Sequence, residues 1–163
     1  LIIGSVSKTW GMIGWRVGWV AGPKALIANV NRVHISNAAL ANPASQMGAV
    51  AALTGPQEWV KKRALIFEKR QNAIFDILKE ADPLIKPVKA EGGWSFLADA
   101  RRFMPSSYKF AEFLLKEARV AVTPMKDWGG GSGEGHVRFV YAKNDEAELE
   151  EAARRVVNAV KKA

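Results

Sequence analysis

Short apolar runs alternate with longer segments of helical periodicity in the first part of the chain. Residues 1–5 and 17–21 are mainly apolar, which predicts two short buried strands. Gly22-Pro23 ends the second run and opens a helix, because the apolar residues that follow recur at helical spacing. These apolar residues are Leu26, Ile27, Val30 and Val33.

Two further helices are predicted in the middle of the chain. One covers residues 44–53 after Asn42-Pro43 and is rich in small side chains. The other begins near Pro56, a residue favoured in the first turn, and extends to about Ala81. This second pattern is longer than an average helix.

The second half of the chain mixes short strands with helices. Strands are predicted at residues 86–89, 94–98 and 120–123. Ser107 can cap a helix, and Asp145 with Glu148 forms a capping-box pattern before the last helix. The last helix has a predicted buried stripe of Leu149, Ala152, Ala153, Val156 and Val160. The whole pattern predicts an α/β fold.

Lys8 is the leading candidate for chemistry. It follows the first predicted strand in Ser5-Val6-Ser7-Lys8-Thr9, where hydroxyls and glycines surround it. Apolar surroundings and a nearby cation would lower the pKa of a lysine amine, and a partly neutral amine can attack a carbonyl. The alternative is an ordinary surface lysine, without a chemical role, after a glycine-rich turn.

A candidate anion site accompanies this lysine. Ser5 and Ser7 offer hydroxyl donors, and Arg16 in Gly14-Trp15-Arg16-Val17-Gly18 offers a bidentate guanidinium. A phosphate bound by these groups would bring a cofactor aldehyde within reach of Lys8. Ser5 and Lys8 also fit the Ser-x-x-Lys motif of penicillin-binding proteins, but its partner motifs Ser-Asp-Asn and Lys-Thr-Gly are missing.

A second candidate, Arg138, follows a glycine-rich segment at residues 129–135. Residues 136–141 alternate as a strand does, which puts Arg138 on one face and Val137, Phe139 and Tyr141 on the other. An arginine between apolar neighbours is costly unless it meets an anion. A strand arginine with an ordinary ion-pair partner is the alternative.

These two segments, in this order, resemble the class I/II (fold type I) aminotransferases that use pyridoxal 5'-phosphate. The resemblance implies that Lys8 is the Schiff-base lysine and the base that moves the substrate α-proton. It further implies that Ser5, Ser7 and Arg16 bind the cofactor phosphate, and that Arg138 binds the substrate α-carboxylate. The substrates implied are an L-amino acid and a 2-oxo acid, and the expected assembly is a homodimer.

The resemblance also implies a domain organisation. Residues 1–75 are expected to be the end of the large cofactor-binding domain, and residues 76–163 the small α+β carboxy-terminal domain. The boundary near Phe75 falls in the long helix, which leads from one domain to the other in this family. The first residue is not methionine and the chain opens inside a strand, so we expect a fragment of a longer enzyme, inactive by itself. Gly93 and Trp94 are possible residues of the substrate pocket.

Composition narrows the remaining possibilities. The chain has no cysteine, which excludes disulfides and thiolate chemistry and is consistent with the cytoplasm. His34 and His136 lack metal-ligand spacing, so no metal site is predicted. No apolar run reaches about 18 residues, so no membrane span is predicted. The net charge of +8 is compatible with a polyanion, but a solvated helix face at residues 61–70 explains much of it, and no nucleic-acid partner is expected.

Three alternatives stay open at this point. The first is another enzyme of the same fold, such as a lyase or synthase, because one lysine and two arginines do not fix the reaction. The second is a regulatory, ligand-sensing domain of this fold joined to a DNA-binding module. The third is a basic nucleic-acid binder, whose affinity would fall steeply with salt.

Overall fold

The computed structural model describes residues 1–129 and 131–163. The chain forms two compact units, Leu1–Lys62 and Arg63–Ala163. The predicted boundary between residues 1–75 and 76–163 concerns the domains of the family and remains a prediction. Among the described residues, every helix is too short or too polar to cross a membrane.

The first unit opens with an antiparallel ribbon. Strands β1 (Ile2–Ser5) and β2 (Gly18–Ala21) pair from Ile2 opposite Ala21 to Ser5 opposite Gly18. The prediction of two strands is confirmed, but the prediction that they are buried is wrong for this chain. Ile2 and Ile3 are 70% and 78% exposed, and the ladder hydrogen bonds hold the two strands together.

Two helices follow in this unit, α1 (Lys24–Ala38) and α2 (Pro43–Thr54). In α1 the predicted apolar face is only half-buried at Ile27 and Val30 and exposed at Leu26 and Val33. α2 starts where the sequence predicts, because the Asn42 side chain accepts hydrogen bonds from the backbone N–H groups of its first turn.

The long helix α3 (Glu58–Leu78) begins two residues after Pro56 and continues into a short 3-10 turn, Lys79–Ala81. Its end packs into the core of the second unit through Ile74 and Leu78, which are buried.

The second unit is built on a four-stranded antiparallel sheet in the order β3-β4-β6-β5. The strands are β3 (Lys86–Val88), β4 (Ser95–Asp99), β5 (Thr123–Pro124) and β6 (His136–Val140). The predicted alternation is confirmed, because Val137, Phe139 and Tyr141 are buried in the core. Arg138 lies on the opposite face of β6, away from these three core side chains.

Helices complete the second unit. They are α4 (Ser107–Phe113), a π-helical continuation over Leu114–Ala118, and α5 (Glu146–Lys162). Asp145 caps α5 as predicted, and the buried stripe of α5 includes Val157 in addition to most of the predicted residues. The cap of α4 is Ser106 and not Ser107, because the Ser106 hydroxyl accepts from the Lys109 N–H and Ser107 is already helical.

Candidate active site

Val6 fixes the backbone that leads from the ribbon into the Lys8 segment. It is fully buried, its N–H donates to the Val17 carbonyl at 3.3 Å, and its carbonyl accepts from the Met12 N–H at 3.3 Å. The ladder therefore continues one residue beyond Ser5 and Gly18. Because of this, residues 7–8 and residue 16 leave the ribbon at the same end.

Lys8 lies in a turn closed by a hydrogen bond of 3.2 Å from the Gly11 N–H to the Lys8 carbonyl. Its side chain is exposed in this chain, in contrast to the apolar surroundings that the sequence predicts. The segment around it is nonetheless well anchored. The Trp10 Nε1 donates to the Gln57 Oε1 at 3.1 Å, and Gly48 of α2 lies so close to Trp15 that a Cβ there would be 2.7 Å from the ring.

Ser5, Ser7 and Arg16 lie around the same end of the ribbon. The Ser5 hydroxyl accepts a hydrogen bond of 2.9 Å from the Ser7 N–H. Arg16 has a left-handed backbone with φ of 55°, and its Nη1 donates to the Ile13 carbonyl at 2.8 Å. This turn folds the guanidinium back over its own loop.

The donor set at this end of the ribbon fits pyridoxal phosphate. Two hydroxyls and a guanidinium are suitable donors for a phosphate, and a lysine amine is suitable for an aldehyde. All four groups belong to one continuous, hydrogen-bonded loop and its flanking strands. The residues present are therefore compatible with the cofactor that the sequence predicts.

Arg138 lies in the second unit, in the middle of β6. It is opposite Leu97 of β4 and Thr123 of β5. Its Nη2 donates to the Thr123 hydroxyl at 3.4 Å, while its Nε is buried and has no hydrogen-bond partner among the described residues. A half-buried guanidinium with one buried, unsatisfied N–H has the chemistry to bind a carboxylate.

Two indole rings flank this guanidinium. Its Cζ lies 5.0 Å from the ring centre of Trp94 and 5.4 Å from that of Trp128. Trp94 is therefore a neighbour of Arg138, and its predicted place in a substrate pocket remains a prediction. Trp128 and Thr123 were missed by the sequence reasoning. The regular alternation of β6 could not show them, because both reach Arg138 from other segments of the chain.

The glycine-rich segment borders the same face of the sheet. Gly130 lies outside the described residues, and three other residues of the segment line a shallow groove of about 250 Å³. The groove is lined by Leu97, Met125, Trp128, Gly129, Ser132, Gly133 and His136. His136 directs its Nδ1 to the Glu134 carbonyl at 3.1 Å, so this ring nitrogen contacts the loop itself.

Comparisons with known proteins identify the family of this chain. The family model described as aminotransferase class I and II matches residues 1–156. The chain is 36% identical to a probable aspartate/prephenate aminotransferase of Rickettsia felis, over 96% of this chain and 40% of the relative. It is 37% identical to an aspartate aminotransferase of Geobacillus stearothermophilus, again over 96% of this chain and 40% of the relative.

Solved structures show the same relationship. An aromatic aminotransferase from Pyrococcus horikoshii superposes with a TM-score of 0.85 at 33% identity, over 98% of this chain and 42% of that one. The chain thus spans about 40% of the length of the curated relatives it matches. From the family model, the relatives and the fold together, the chain belongs to the class I and II aminotransferases, a family that uses pyridoxal phosphate.

Proposed function

We propose that the full-length protein, meaning the complete product that contains these 163 residues, is an aminotransferase. It would move an amino group between an L-amino acid and a 2-oxo acid. The observation that supports this best is the loop after β1, where the Lys8 amine and the phosphate donors of Ser5, Ser7 and Arg16 leave the ribbon together. Pyridoxal phosphate, when bound, supplies an electron sink for the carbanion formed at the substrate α-carbon.

Lys8 has two roles in this proposal. Its Nζ would hold the cofactor aldehyde covalently, with loss of one water, and as a free amine it would accept and return the proton at the substrate α-carbon. The buried Val6 supports both roles, because its two backbone hydrogen bonds fix the segment from which Lys8 projects. The adjacent phosphate donors orient the cofactor relative to the lysine.

Arg138 is proposed to bind the substrate α-carboxylate. Its guanidinium already has one hydrogen bond, to Thr123, and two flanking rings that restrict its direction. The buried Nε is the group that a carboxylate would satisfy, together with a terminal N–H. A bidentate contact of this kind would orient the α-carbon for proton transfer.

The same proposal covers assembly and location. We expect a cytoplasmic homodimer, with an amino acid and a 2-oxo acid as small-molecule partners and no nucleic-acid or membrane partner. The relatives' names include aspartate, prephenate and aromatic aminotransferase, so an acidic and an aromatic amino acid are the first substrates to test. Sedimentation of the full-length protein measures the assembly directly.

The reaction type is tested by a half-reaction. The full-length protein with bound cofactor is mixed with L-aspartate or L-phenylalanine in the absence of any oxo acid. An aminotransferase converts its cofactor from the aldehyde to the amine form, and added 2-oxoglutarate restores the aldehyde. Loss of the amino acid without formation of the amine form would indicate a lyase or synthase and contradict the proposal.

A further inference from the structure

Glu134 holds the loop before β6 against helix α4. Its Oε1 accepts hydrogen bonds from the Ser107 N–H at 2.9 Å, the Ser107 hydroxyl at 3.4 Å and the Gly135 N–H at 3.3 Å. Its Oε2 lies 3.6 Å from the Lys126 Nζ. Ser107 is fully buried, so one carboxylate joins a buried helix start to both ends of the loop.

The loop that Glu134 anchors is folded tightly on itself. The backbone at Gly133 lies so close to Met125 that a Cβ at residue 133 would overlap the Met125 carbonyl oxygen. Only glycine therefore fits at this position. The Met125 N–H in turn donates to the His136 carbonyl at 3.0 Å. Tyr108 of α4 donates a hydrogen bond to the Asp127 carboxylate, which is a second tie to the same helix.

This loop supplies the ring of Trp128 beside Arg138. Trp128 is 53% exposed, so its position depends mainly on the backbone at residues 125–128. The backbone N–H of Trp128 donates to the Met125 carbonyl at 2.9 Å, so Trp128 belongs to a turn over residues 125–128. The ion pair between Lys126 and Glu134 ties this turn to the residues before β6. The path from Glu134 to Arg138 therefore runs through Lys126, the turn and the indole.

We infer that Glu134 is a positioning residue for substrate binding, because it anchors the loop that holds Trp128 over the Arg138 guanidinium. The inference rests on the proposed role of Arg138 and adds that Glu134, through Trp128, fixes the direction of the Arg138 guanidinium. Without the Glu134 carboxylate, the Trp128 indole would move away from the Arg138 guanidinium. The guanidinium would then adopt orientations that are less favourable for binding a carboxylate. The consequence is weaker binding of the substrate carboxylate with little change in the chemical step.

The test is a double-mutant cycle in the full-length protein, with Glu134→Ala, Trp128→Ala and the pair. The probe is whichever of L-aspartate and L-phenylalanine the wild type uses better. We expect each single change to raise KM roughly three- to tenfold, with kcat within about twofold, from the loss of one cation–π contact and its orientation. The pair should match Trp128→Ala alone, because both changes remove the same contact.

Two controls distinguish positioning from a general structural effect. Glu134→Gln keeps an acceptor for the Ser107 N–H but loses the ion pair with Lys126, so its KM should lie between those of the wild type and Glu134→Ala. Glu151→Gln removes an exposed carboxylate of α5, paired with Arg155 at 3.6 Å, and should leave KM unchanged. Multiplicative effects in the double mutant, or a fall in kcat with unchanged KM, would overturn the inference.

Amide hydrogen exchange over residues 126–129 and 131–135 gives a readout that needs no activity. Glu134→Ala should speed exchange there, and Glu151→Gln should not; unchanged exchange overturns the inference. An Arg138→Met variant separates the two proposals. If its KM is normal, the proposed role of Arg138 in substrate binding fails. Faster exchange in Glu134→Ala would then support only the anchor, and its link to substrate would be overturned.

Discussion

Replacing Arg138 should separate binding from folding, because the arginine stabilises the fold little and is proposed to bind the substrate strongly. Its Nε is buried without a hydrogen-bond partner in the described parts of the chain, which costs about 1–3 kcal/mol. Two cation–π contacts offset about 1–2 kcal/mol of that cost. The two contributions nearly cancel.

Arg138→Met keeps the apolar stem of the side chain and removes the guanidinium. We expect the free energy of unfolding to stay within about 1–2 kcal/mol of the wild type, from the near-cancellation above. Loss of one partner of a desolvated charge pair costs about 2–5 kcal/mol of binding, which is a fall in kcat/KM of roughly 30-fold to several-thousand-fold. Cofactor binding should not change.

The assay combines urea denaturation with initial rates for the full-length protein. Arg138→Lys is the matched control, since it keeps the charge but loses the planar fork, and its kcat/KM should fall between the other two. A variant that loses more than about 3 kcal/mol of stability while its KM stays normal would show that Arg138 is an ordinary structural arginine. Weakened cofactor binding with unchanged KM would refute the assigned role.

Three further predictions concern single side chains. Lys8→Ala should abolish covalent attachment of the cofactor, measured as loss of borohydride-stable label, and label that persists would mean that another lysine reacts. The hydrogen bonds from Arg101 lower the pKa of Asp99 from 3.8 to about 2. A depressed pKa contributes stability above pH 3.8 that is lost as the pH falls through about 2. Asp99→Asn should therefore be less stable than the wild type at pH 5 by about 1 kcal/mol or less, since Arg101 is exposed. The difference should shrink as the pH falls from 3.8 to about 2 and vanish below that; a constant difference in urea titrations across this range would contradict the assignment. Asp145→Ala should cost about 1 kcal/mol of unfolding free energy, because it removes the 2.9 Å cap on the Glu148 N–H, and an unchanged urea midpoint would show that this cap is not stabilising.

Local patterns were the most predictable part of the fold. The alternation at residues 136–141 gave the buried face of β6 correctly, because a period of two leaves a strand only one apolar side. The start of α2 was also predictable, since Asn42-Pro43 supplies both a cap and a favourable first residue.

Features that depend on partners distant in sequence were less predictable. The apolar run at residues 1–5 indicates a strand, but it cannot show what covers the strand, and in this chain Ile2 and Ile3 are exposed. The predicted strand at 120–123 is reduced to Thr123–Pro124, because only these residues pair with β6. Adjacent serines left the cap of α4 one residue in error.

Some residues of the candidate site were likewise predictable from the sequence, and others were not. Ser5, Ser7, Lys8 and Arg16 could be named from the sequence, because they are close along the chain and the ribbon brings their two segments to one end. The neighbours of Arg138 could not. Trp128 reaches the guanidinium only after the loop folds, and Glu134 acts on that loop through Ser107, 27 residues away.

Borohydride reduction of the full-length protein in the presence of pyridoxal phosphate, followed by peptide mapping, tests the central claim most directly. We expect a single reduced adduct on Lys8, in the peptide that also contains Thr9 and Trp10. Such a result would establish the cofactor and the lysine together. An adduct elsewhere, or none on Lys8 while the cofactor is bound, would show that Lys8 is an ordinary surface lysine.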